Sequence, residues 1–233
     1  MNVLRGGINR ILFMTLKLKL RHCGSKSLIE SSYMVEGANY ISIGECVRIK
    51  PGLHMAAINQ HNGLHFSPEI QIGNNVSINY DVHIACINKI TIGDGTLLGS
   101  KIFITDHYHG NTSLESLRIP PSNRKLESKG SVEIGKNVWI GENVAIMPDV
   151  KIGDNAVIGA NSVVTKDIPP FSVAVGAPAR IVKEYKNGKI VQTRPRNKEY
   201  ILCDGIHEPI IDLRTWQIVQ EKRSKHTPAV VHN

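Results

Sequence analysis

Two histidines that could do acid–base chemistry, His107 and His109, lie in the short sequence DHYHG, at the point where a regular repeat stops. Imidazole changes its charge close to neutral pH, so a histidine side chain can take a proton from a hydroxyl group under physiological conditions. A histidine in a loop can equally be a solvated surface residue. The two residues are candidates for a general base if neighbouring elements hold them in a defined position.

A second side chain suited to binding is Trp139, the only tryptophan within the repeating part of the chain. It follows Val138, an aliphatic position that should point inward, so the indole should point outward. A large exposed ring on a regular surface is usually covered by a ligand or by another subunit. The sequence therefore predicts a binding surface at Trp139 and leaves both kinds of partner open.

These side chains belong to a repeat of six residues, which is clearest between Val132 and Ile168. The first slot of each hexad is aliphatic, the fourth is Asn or Asp, and the fifth is Val, Ile or a small residue. Six consecutive hexads follow this pattern and begin at Ile134, Ile140, Ile146, Ile152, Ile158 and Val164. A pattern this regular predicts a repeat architecture.

A period of six residues fits neither an α-helix nor a long alternating strand. One inward residue in six, followed by Asn, Asp or Gly, suits a short flat side that ends at a corner, because these residues tolerate the left-handed backbone of a sharp turn. Three sides make a coil of about 18 residues, and coils stack at about 4.8 Å. The repeat therefore predicts a parallel β-helix with aliphatic stacks in its interior.

Interruptions of the pattern divide the chain. The predicted parts are a basic cap at 1–40, a β-helix at 41–168 and a C-terminal extension at 169–233. Within the β-helix, residues 55–69 break the register and should form a loop, and two extra residues, Ile90 and Thr91, precede a hexad. Residues 106–130 lack the pattern, which predicts a long excursion loop from one corner; such loops are usually functional or disordered.

The N-terminal segment Met1–Ser27 contains six Lys or Arg residues and no acid. Its apolar run Ile11–Leu16 is too short for a secretory segment or a transmembrane helix. The segment either caps the open first coil, whose strand edges would otherwise invite aggregation, or touches an anionic membrane surface. Both roles are compatible.

The chain of 233 residues carries a formal net charge of +8 at pH 7. This charge favours anionic partners such as a phosphorylated cofactor, an acidic glycan or a membrane face. No motif typical of RNA or DNA binding accompanies it, so nucleic acid is not an expected partner. The four cysteines are scattered without a CxxC pair, which favours reduced thiols in a cytoplasm.

The stretch VWIGENVAIMPDVKIGDNAVIGANSVVTKDIPP, followed by VAVGAPARIV, resembles the galactoside and maltose acetyltransferases, and DHYHG is similar to bacterial polysaccharide O-acetyltransferases. The resemblance covers roughly residues 70–183. It implies an all-β fold, a left-handed parallel β-helix of hexapeptide repeats with an excursion loop and terminal extensions, assembled as a homotrimer. Left-handed coiling comes from the resemblance alone, since crossover connections are otherwise right-handed.

The resemblance also implies roles for single residues. His107 occupies the position of the family's general base. His109, two positions on, is the competing candidate for the base and otherwise an acceptor-binding residue. Asn79 aligns with an acceptor-binding residue if the two-residue insertion is the family's own bulge, and its amide can donate to and accept from a sugar hydroxyl. Asp81 is either a second acceptor contact or an ordinary corner residue.

The acyl donor implied by the resemblance is acetyl-CoA, and no metal is expected. Trp139 would pack along the pantetheine arm, and Lys166 and Arg180 would meet the nucleotide phosphates as fixed positive charges. Glu142 stands where relatives often carry a small or polar residue, so its direction is open. The cofactor-binding residues implied are Trp139, Ala160, Thr165, Lys166 and Arg180, with Lys183 a weaker candidate.

The resulting hypothesis is an acetyl-CoA-dependent O-acetyltransferase that acetylates a sugar hydroxyl of a bacterial surface polysaccharide or its precursor by direct histidine-assisted transfer. Its expected location is cytoplasmic, with peripheral contact at the inner membrane face left open. One alternative is a non-catalytic hexapeptide scaffold. Another is a zinc hydratase resembling the γ-class carbonic anhydrases, which needs three histidines on one metal ion. His83, His107 and His109 are candidates for it by number, but the ligand spacing of that family is absent.

Overall fold

The computed structural model describes residues 12–186 and 189–192, all of which lie in the first of two compact units, Met1–Pro195. Predictions that concern 1–11, 187–188 or 193–233, including most of the C-terminal extension, lie outside the described residues. Among the helices that the structure describes, none is long and apolar enough to cross a bilayer.

Most of the described chain folds into short strands. The first of them are β1 (His22–Cys23), β2 (Leu28–Ile29), β3 (Met34–Glu36), β4 (Ile41–Ile43), β5 (Arg48–Ile49), β6 (His54–Ala57), β7 (Gln60–His61), β8 (Leu64–His65), β9 (Glu69–Ile72), β10 (Ser77–Ile78), β11 (His83–Cys86), β12 (Lys89–Ile92), β13 (Leu97–Leu98) and β14 (Phe103–Thr105). The others are β15 (Tyr108–His109), β16 (Leu126–Glu127), β17 (Val132–Ile134), β18 (Trp139–Ile140), β19 (Ala145–Ile146), β20 (Lys151–Ile152), β21 (Val157–Ile158), β22 (Val163–Val164), β23 (Ser172–Val175), β24 (Arg180–Lys186) and β25 (Lys189–Gln192). The helical pieces are α1 (12–17), α2 (Leu114–Leu117) and two 3-10 turns at Ala38–Tyr40 and Pro121–Asn123.

Three parallel sheets form the sides of a triangular prism, and the chain visits them in rotation. Face 1 contains β1, β4, β9, β12, β17 and β20; face 2 contains β2, β5, β10, β13, β18, β21 and β23; face 3 contains β3, β6, β11, β14, β19 and β22. The antiparallel strands β24 and β25 extend face 2 at its C-terminal end. The prediction of a parallel β-helix built from hexapeptide repeats is confirmed.

The register shows where the two extra residues lie. Ile134 pairs with Ile152, 18 positions on, as the predicted coil length requires, whereas Ile72 pairs with Ile92, 20 positions on. The extra length falls between β11 and β12, so it widens the corner between face 3 and face 1. Ile90 is itself part of β12 and is fully buried.

Corner residues carry the left-handed backbone that the repeat predicts. Positive φ angles occur in the fourth slot at Asn137, Asn143, Asp149, Asn155 and Asn161. Asp81 has the same conformation, with φ of 58°. Asparagine and aspartate recur in this slot because they tolerate a conformation that is strained for most other side chains.

The first coil begins earlier in the chain than the sequence pattern predicts. Its strands β1, β2 and β3 pair with β4, β5 and β6, so the coils begin near His22 and not at residue 41. Helix α1 and the turn after it bury Phe13, Leu16 and Leu20 in the core cluster beside this terminal coil. These contacts are those expected of the predicted cap.

Residues 55–69 differ from their prediction as a loop. Met55, Ala56 and Ala57 continue β6 and are buried, because small apolar residues keep the pairing with β11 even without an aliphatic hexad. Only the hairpin of β7 and β8 leaves the coil. The excursion loop 106–130 also contains order of its own, since β15 and β16 pair in an antiparallel manner.

Candidate functional site

His107 follows β14 at the corner between face 3 and face 1, where the excursion loop leaves the prism. The residue is buried, with 7% of its surface exposed. Its Nδ1 atom lies 2.9 Å from Oδ1 of Asp106. Because an ionised carboxylate can only accept hydrogen bonds, Nδ1 carries the proton and the neutral ring keeps its lone pair on Nε2. The arrangement prepares Nε2 to take a proton.

Asp106 is fully buried and is held by several donors. Its carboxylate accepts hydrogen bonds from the backbone N–H of Ile87 at 2.9 Å, the backbone N–H of Asn88 at 2.8 Å and the Cys86 thiol at 3.2 Å. Burial alone would raise the pKa of Asp106, but the hydrogen bonds from His107 and the two backbone N–H groups outweigh it and lower that pKa. Asp106 therefore stays ionised beside the imidazole.

The widened corner makes this arrangement possible. Ile87 and Asn88 lie between β11 and β12, in the passage that the two extra residues lengthen. Their N–H groups point at Asp106, one coil further along the stack, instead of joining a strand pair. The same insertion that disturbs the hexad register thus supplies the donors that fix the orientation of the histidine.

The excursion loop and the hairpin of β7 and β8 meet next to His107. The ring of His109, on β15, lies 6.4 Å from the ring of His107 and 5.9 Å from that of His61 in an edge-on arrangement. The side-chain amide of Asn62 donates to the backbone carbonyl of Ser122 at 3.1 Å. Both predicted candidates for the base are therefore on one side of the prism, with His107 buried and His109 exposed.

The outer surface of face 3 carries further imidazoles. His54 and His83 stack with ring centroids 4.2 Å apart, and Phe103 lies 5.2 Å from His83. Burial lowers the pKa of His83, and the nearby His54 and His107 lower it further. This patch was not predicted, because residues on neighbouring strands can be recognised as neighbours only once the strand register is known.

Asn79 and Asp81 lie at a different corner, between face 2 and face 3. Ile78 pairs with Leu98, so Asn79 occupies the slot beside Gly99. One chain therefore places Asn79 and His107 in successive coils but at opposite edges of face 3. The expectation that Asn79 lies near His107 along the prism axis is met, but a single chain does not bring the two side chains to one point.

The residues implied for cofactor binding are also divided between sides of the prism. Trp139 is 56% exposed on face 2, as predicted, and pairs there with Leu97 and Val157. Arg180 begins β24 at the end of the same face and is exposed.

The other implied residues lie at corners. Exposed Ala160 follows β21 at the corner between face 2 and face 3. Thr165 and Lys166 follow β22, so they share the corner of His107 and lie two coils beyond it, also exposed. Glu142 is exposed at the corner of Ala160.

An open depression of about 490 Å³ adjoins Trp139 on face 2. Its lining includes Val157, the strand partner of Trp139, together with the aromatic rings of Phe171 and Tyr185 and the side chain of Lys183. The two rings lie 6.5 Å apart. The depression combines apolar walls with the opposite charges of Lys183 and Glu184.

Within residues 12–186 and 189–192, no group of three or more His, Cys, Asp or Glu side chains is arranged to hold a metal ion. Of the four cysteines, the three that the structure describes, Cys23, Cys46 and Cys86, are free thiols. Cys203 lies outside the described residues.

Comparison with known proteins places this architecture in a family. Residues 131–166 match the family model described as bacterial transferase hexapeptide (six repeats). The chain is 30% identical over 170 residues to galactoside O-acetyltransferase of Escherichia coli K12, a match that covers 71% of this chain and 70% of that protein. The chain belongs to the hexapeptide-repeat acetyltransferases. The resemblance proposed from the repeat is thereby confirmed, and the β-helix is the left-handed one of this family.

A second family relative, the Escherichia coli K12 protein WbbJ, bears the name of a lipopolysaccharide biosynthesis O-acetyl transferase. It is 44% identical over 122 residues, which cover 51% of this chain and 62% of WbbJ. The chain thus spans less than two thirds of the length of this relative.

Solved structures share the fold. AntD, an N-acyltransferase from Bacillus cereus in complex with dTDP-4-amino-4,6-dideoxyglucose and coenzyme A, superposes with a TM-score of 0.61 at 22% identity over 76% of this chain and 89% of AntD. A hexapeptide-repeat acetyltransferase from Vibrio cholerae complexed with acetyl coenzyme A gives a TM-score of 0.53 at 24% identity over 75% of this chain and 76% of that one.

Proposed function

We propose that this family member transfers an acetyl group from acetyl-CoA to a sugar hydroxyl of a bacterial surface polysaccharide or its precursor. The observation that carries the proposal is the buried pair of Asp106 and His107, with its 2.9 Å contact. In the reaction, Nε2 of His107 takes the proton of the sugar hydroxyl while the oxygen attacks the thioester carbonyl. The carbon–sulfur bond then breaks, and the departing thiolate takes the proton back from the imidazolium.

The names of the relatives support the two substrates. Galactoside O-acetyltransferase and WbbJ are named for O-acetyl transfer, one to a galactoside and the other in lipopolysaccharide biosynthesis. Imidazole chemistry suits a hydroxyl acceptor, which must lose its proton as it attacks. The same neutral base also agrees with direct transfer in a ternary complex, without a covalent acyl-enzyme.

The surface around Trp139 supports binding of coenzyme A. The exposed indole, Leu97 and the apolar depression offer a path for the pantetheine arm, and Lys183 and Arg180 offer positive charge to the phosphates. Lys166 is exposed at the corner of His107 and supplies further positive charge on that side.

A direct assay tests the proposal. Acetyl-CoA is supplied with a panel of galactosides and purified surface glycans, and the released coenzyme A thiol and the acetylated product are measured together. Acetylated glycan formed with the intact protein and lost with His107→Ala supports the proposal. A protein that binds acetyl-CoA in calorimetry but acetylates no acceptor contradicts it, and one that binds no coenzyme A at all favours the scaffold alternative.

Trp139→Ala is expected to weaken the binding of acetyl-CoA. Removing one large apolar contact costs about 1–3 kcal/mol, which should appear mainly as a raised KM for acetyl-CoA with kcat largely kept. Trp139→Phe keeps an aromatic ring, so its KM for acetyl-CoA should lie between those of the unchanged protein and the alanine variant. An unchanged KM for acetyl-CoA in the alanine variant would contradict this role of Trp139.

We further propose a homotrimer in which the catalytic groups of different subunits meet. One chain places His107 at a corner and Trp139 on another face of the prism, so a neighbouring subunit is the natural source of the second wall. Sedimentation should show a trimer. A stable monomer with full activity would overturn the assembly.

Mixed trimers test the same arrangement more sharply. When His107→Ala and Trp139→Ala chains are co-expressed in equal amounts, about a quarter of the junctions should combine an intact His107 with an intact Trp139 from the neighbour. Activity at low acetyl-CoA should then rise above that of either variant alone. No rise would mean that each site lies within one chain.

We also propose a cytoplasmic protein that touches an anionic membrane surface through its cap. Outside the buried side of α1, Met14 is 65% exposed and Leu18 is 88% exposed, and the exposed Lys17 and Lys19 lie beside them. Apolar and basic side chains together suit an interfacial contact.

The cap proposal predicts salt-sensitive sedimentation with vesicles that contain anionic lipid. A Met14→Ser, Leu18→Ser double variant should lose this binding while the buried Phe13 and Leu16 keep the cap in place, so thermal stability should be unchanged. Neutral vesicles serve as the control. If the intact protein does not sediment with anionic vesicles, the segment is a cap only.

A further inference from the structure

A buried thiol stands behind the pair of Asp106 and His107. The Sγ atom of Cys86 lies 3.2 Å from Oδ2 of Asp106, and Cys86 has no exposed surface. We propose that Cys86 is a positioning residue that sets how strongly Asp106 holds the proton on His107. The catalytic meaning of this inference rests on the function proposed above, but the hydrogen bond and its effect on the imidazole do not.

The thiol has two oxygen atoms within reach. Its hydrogen can go to the carboxylate of Asp106 at 3.2 Å or to the backbone carbonyl of Glu69 at 3.5 Å. The carboxylate is both nearer and charged, and hydrogen bonds to an ionised acceptor are the stronger ones. Burial raises the pKa of Cys86 far above its ordinary value, and the negative charge of Asp106 raises it further. Cys86 therefore stays a thiol and donates.

The two oxygen atoms of Asp106 have different partners. Oδ1 accepts from His107 and from the backbone N–H of Ile87, each at 2.9 Å, whereas Oδ2 accepts from Cys86 and the backbone N–H of Asn88 and lies 3.3 Å from the Ile87 nitrogen. Donation to Oδ2 draws negative charge away from the oxygen that faces the imidazole. With one donor fewer, more charge stays on Oδ1, and the protonated form of the ring is stabilised. The thiol thus keeps the imidazole from holding its proton too tightly to release it.

The position of Cys86 explains why a thiol suits this place. It ends β11, immediately before the two residues whose N–H groups also reach Asp106. A thiol fits this apolar corner as a small hydrophobic side chain and still supplies one weak donor. An acceptor-only or charged side chain there would leave Asp106 with an unfavourable neighbour.

NMR titration of the His107 ring tests the inference without any acceptor substrate. The midpoint of the ring's titration in Cys86→Ala should lie above that of the unchanged protein by about half a pH unit or more. Cys86→Ser, which restores a donor, should stay at or below the original midpoint. Cys23→Ala, which removes a partly buried thiol in the first coil, is the matched control and should show no change.

If the alanine variant does not fold, Cys86→Val removes the donor while filling the space and answers the same question. A midpoint unchanged in the donor-free variant, or moved equally by serine and by alanine, overturns the inference. Where acetyl transfer is measurable, the acid limb of the pH–rate profile should move with the ring titration. Absence of transfer would count against the proposed function, but not against the effect of Cys86 on the ring.

Discussion

Replacing His107 with alanine is expected to lower kcat for acetyl transfer by about 10²–10⁴-fold, the usual contribution of a positioned general base. Nε2 of His107 is the proton acceptor that the hydrogen bond to Asp106 leaves free. The sugar hydroxyl is a poor nucleophile unless it loses its proton during the attack, so the loss should fall on kcat. Binding of acetyl-CoA should survive, since the surface around Trp139 is on another face of the prism.

The matched control is His109→Ala. His109 lies in the same loop with its ring 6.4 Å from that of His107, but it is exposed and no carboxylate among residues 12–186 and 189–192 fixes it. Its replacement should cost far less in kcat and act mainly on the KM for the acceptor. Calorimetry should show that each variant still binds coenzyme A, and sedimentation should show that it remains assembled. A near-normal kcat in His107→Ala, or an inactive His109→Ala, would show that His107 is not the general base.

Most of the fold could be predicted from the hexads because the aliphatic residue in each first slot marks the side chain that points into the prism. Ile134, Ile140 and Ile146 fill three successive sides, and their partners follow 18 positions on, at Ile152, Ile158 and Val164. The first coil was not predicted because Cys23 takes an inward position where the pattern requires an aliphatic residue, and its corners with positive φ are Lys26 and Ser32 in place of Asn or Asp. Pairing with the next coil, which a single stretch of sequence does not show, defines it.

The candidate site was predictable only where one residue sufficed. His107 was proposed from the family resemblance at the end of a hexad, and Trp139 from its outward slot. The role of Asp106 could have been suspected from its position directly before His107, but its burial depends on Ile87 and Asn88 in another coil. These contacts join residues 19 and 18 positions apart, at the corner that the two-residue insertion lengthens.

The division of the predicted residues among faces is also a consequence of the register. Asn79 and His107 look neighbouring when coils are counted along the axis, but the position around the prism decides which side chains meet. Trp139 and Lys166 are separated in the same way. A site assembled between subunits reconciles these positions, and this is the physical reason that the proposed activity depends on the proposed trimer.

Asp106→Asn should have the next largest effect, a loss of about 10²-fold in kcat. In a serine protease triad the same replacement costs about 10⁴-fold, because the histidine adopts the wrong tautomer. An amide offers one acceptor oxygen and one NH₂ group, whereas the carboxylate accepts from Ile87 and Asn88 as well as from His107. If the NH₂ group faces Nδ1, the ring must carry its proton on Nε2 and can no longer act as a base.

The same variant should also unfold more easily. The amide leaves a buried donor without an acceptor, a loss of about 1–3 kcal/mol, which thermal unfolding at neutral pH would show. Since the pKa of Asp106 is lowered in the folded protein, its stabilising contribution is present above the ordinary aspartate range and is lost as the pH falls. The difference in unfolding free energy between the two proteins should therefore narrow in acid.

Asp149→Asn is the control, because Asp149 is an exposed corner residue with φ of 63° that asparagine tolerates equally well. Equal kcat in Asp106→Asn and Asp149→Asn would show that Asp106 does not orient the base.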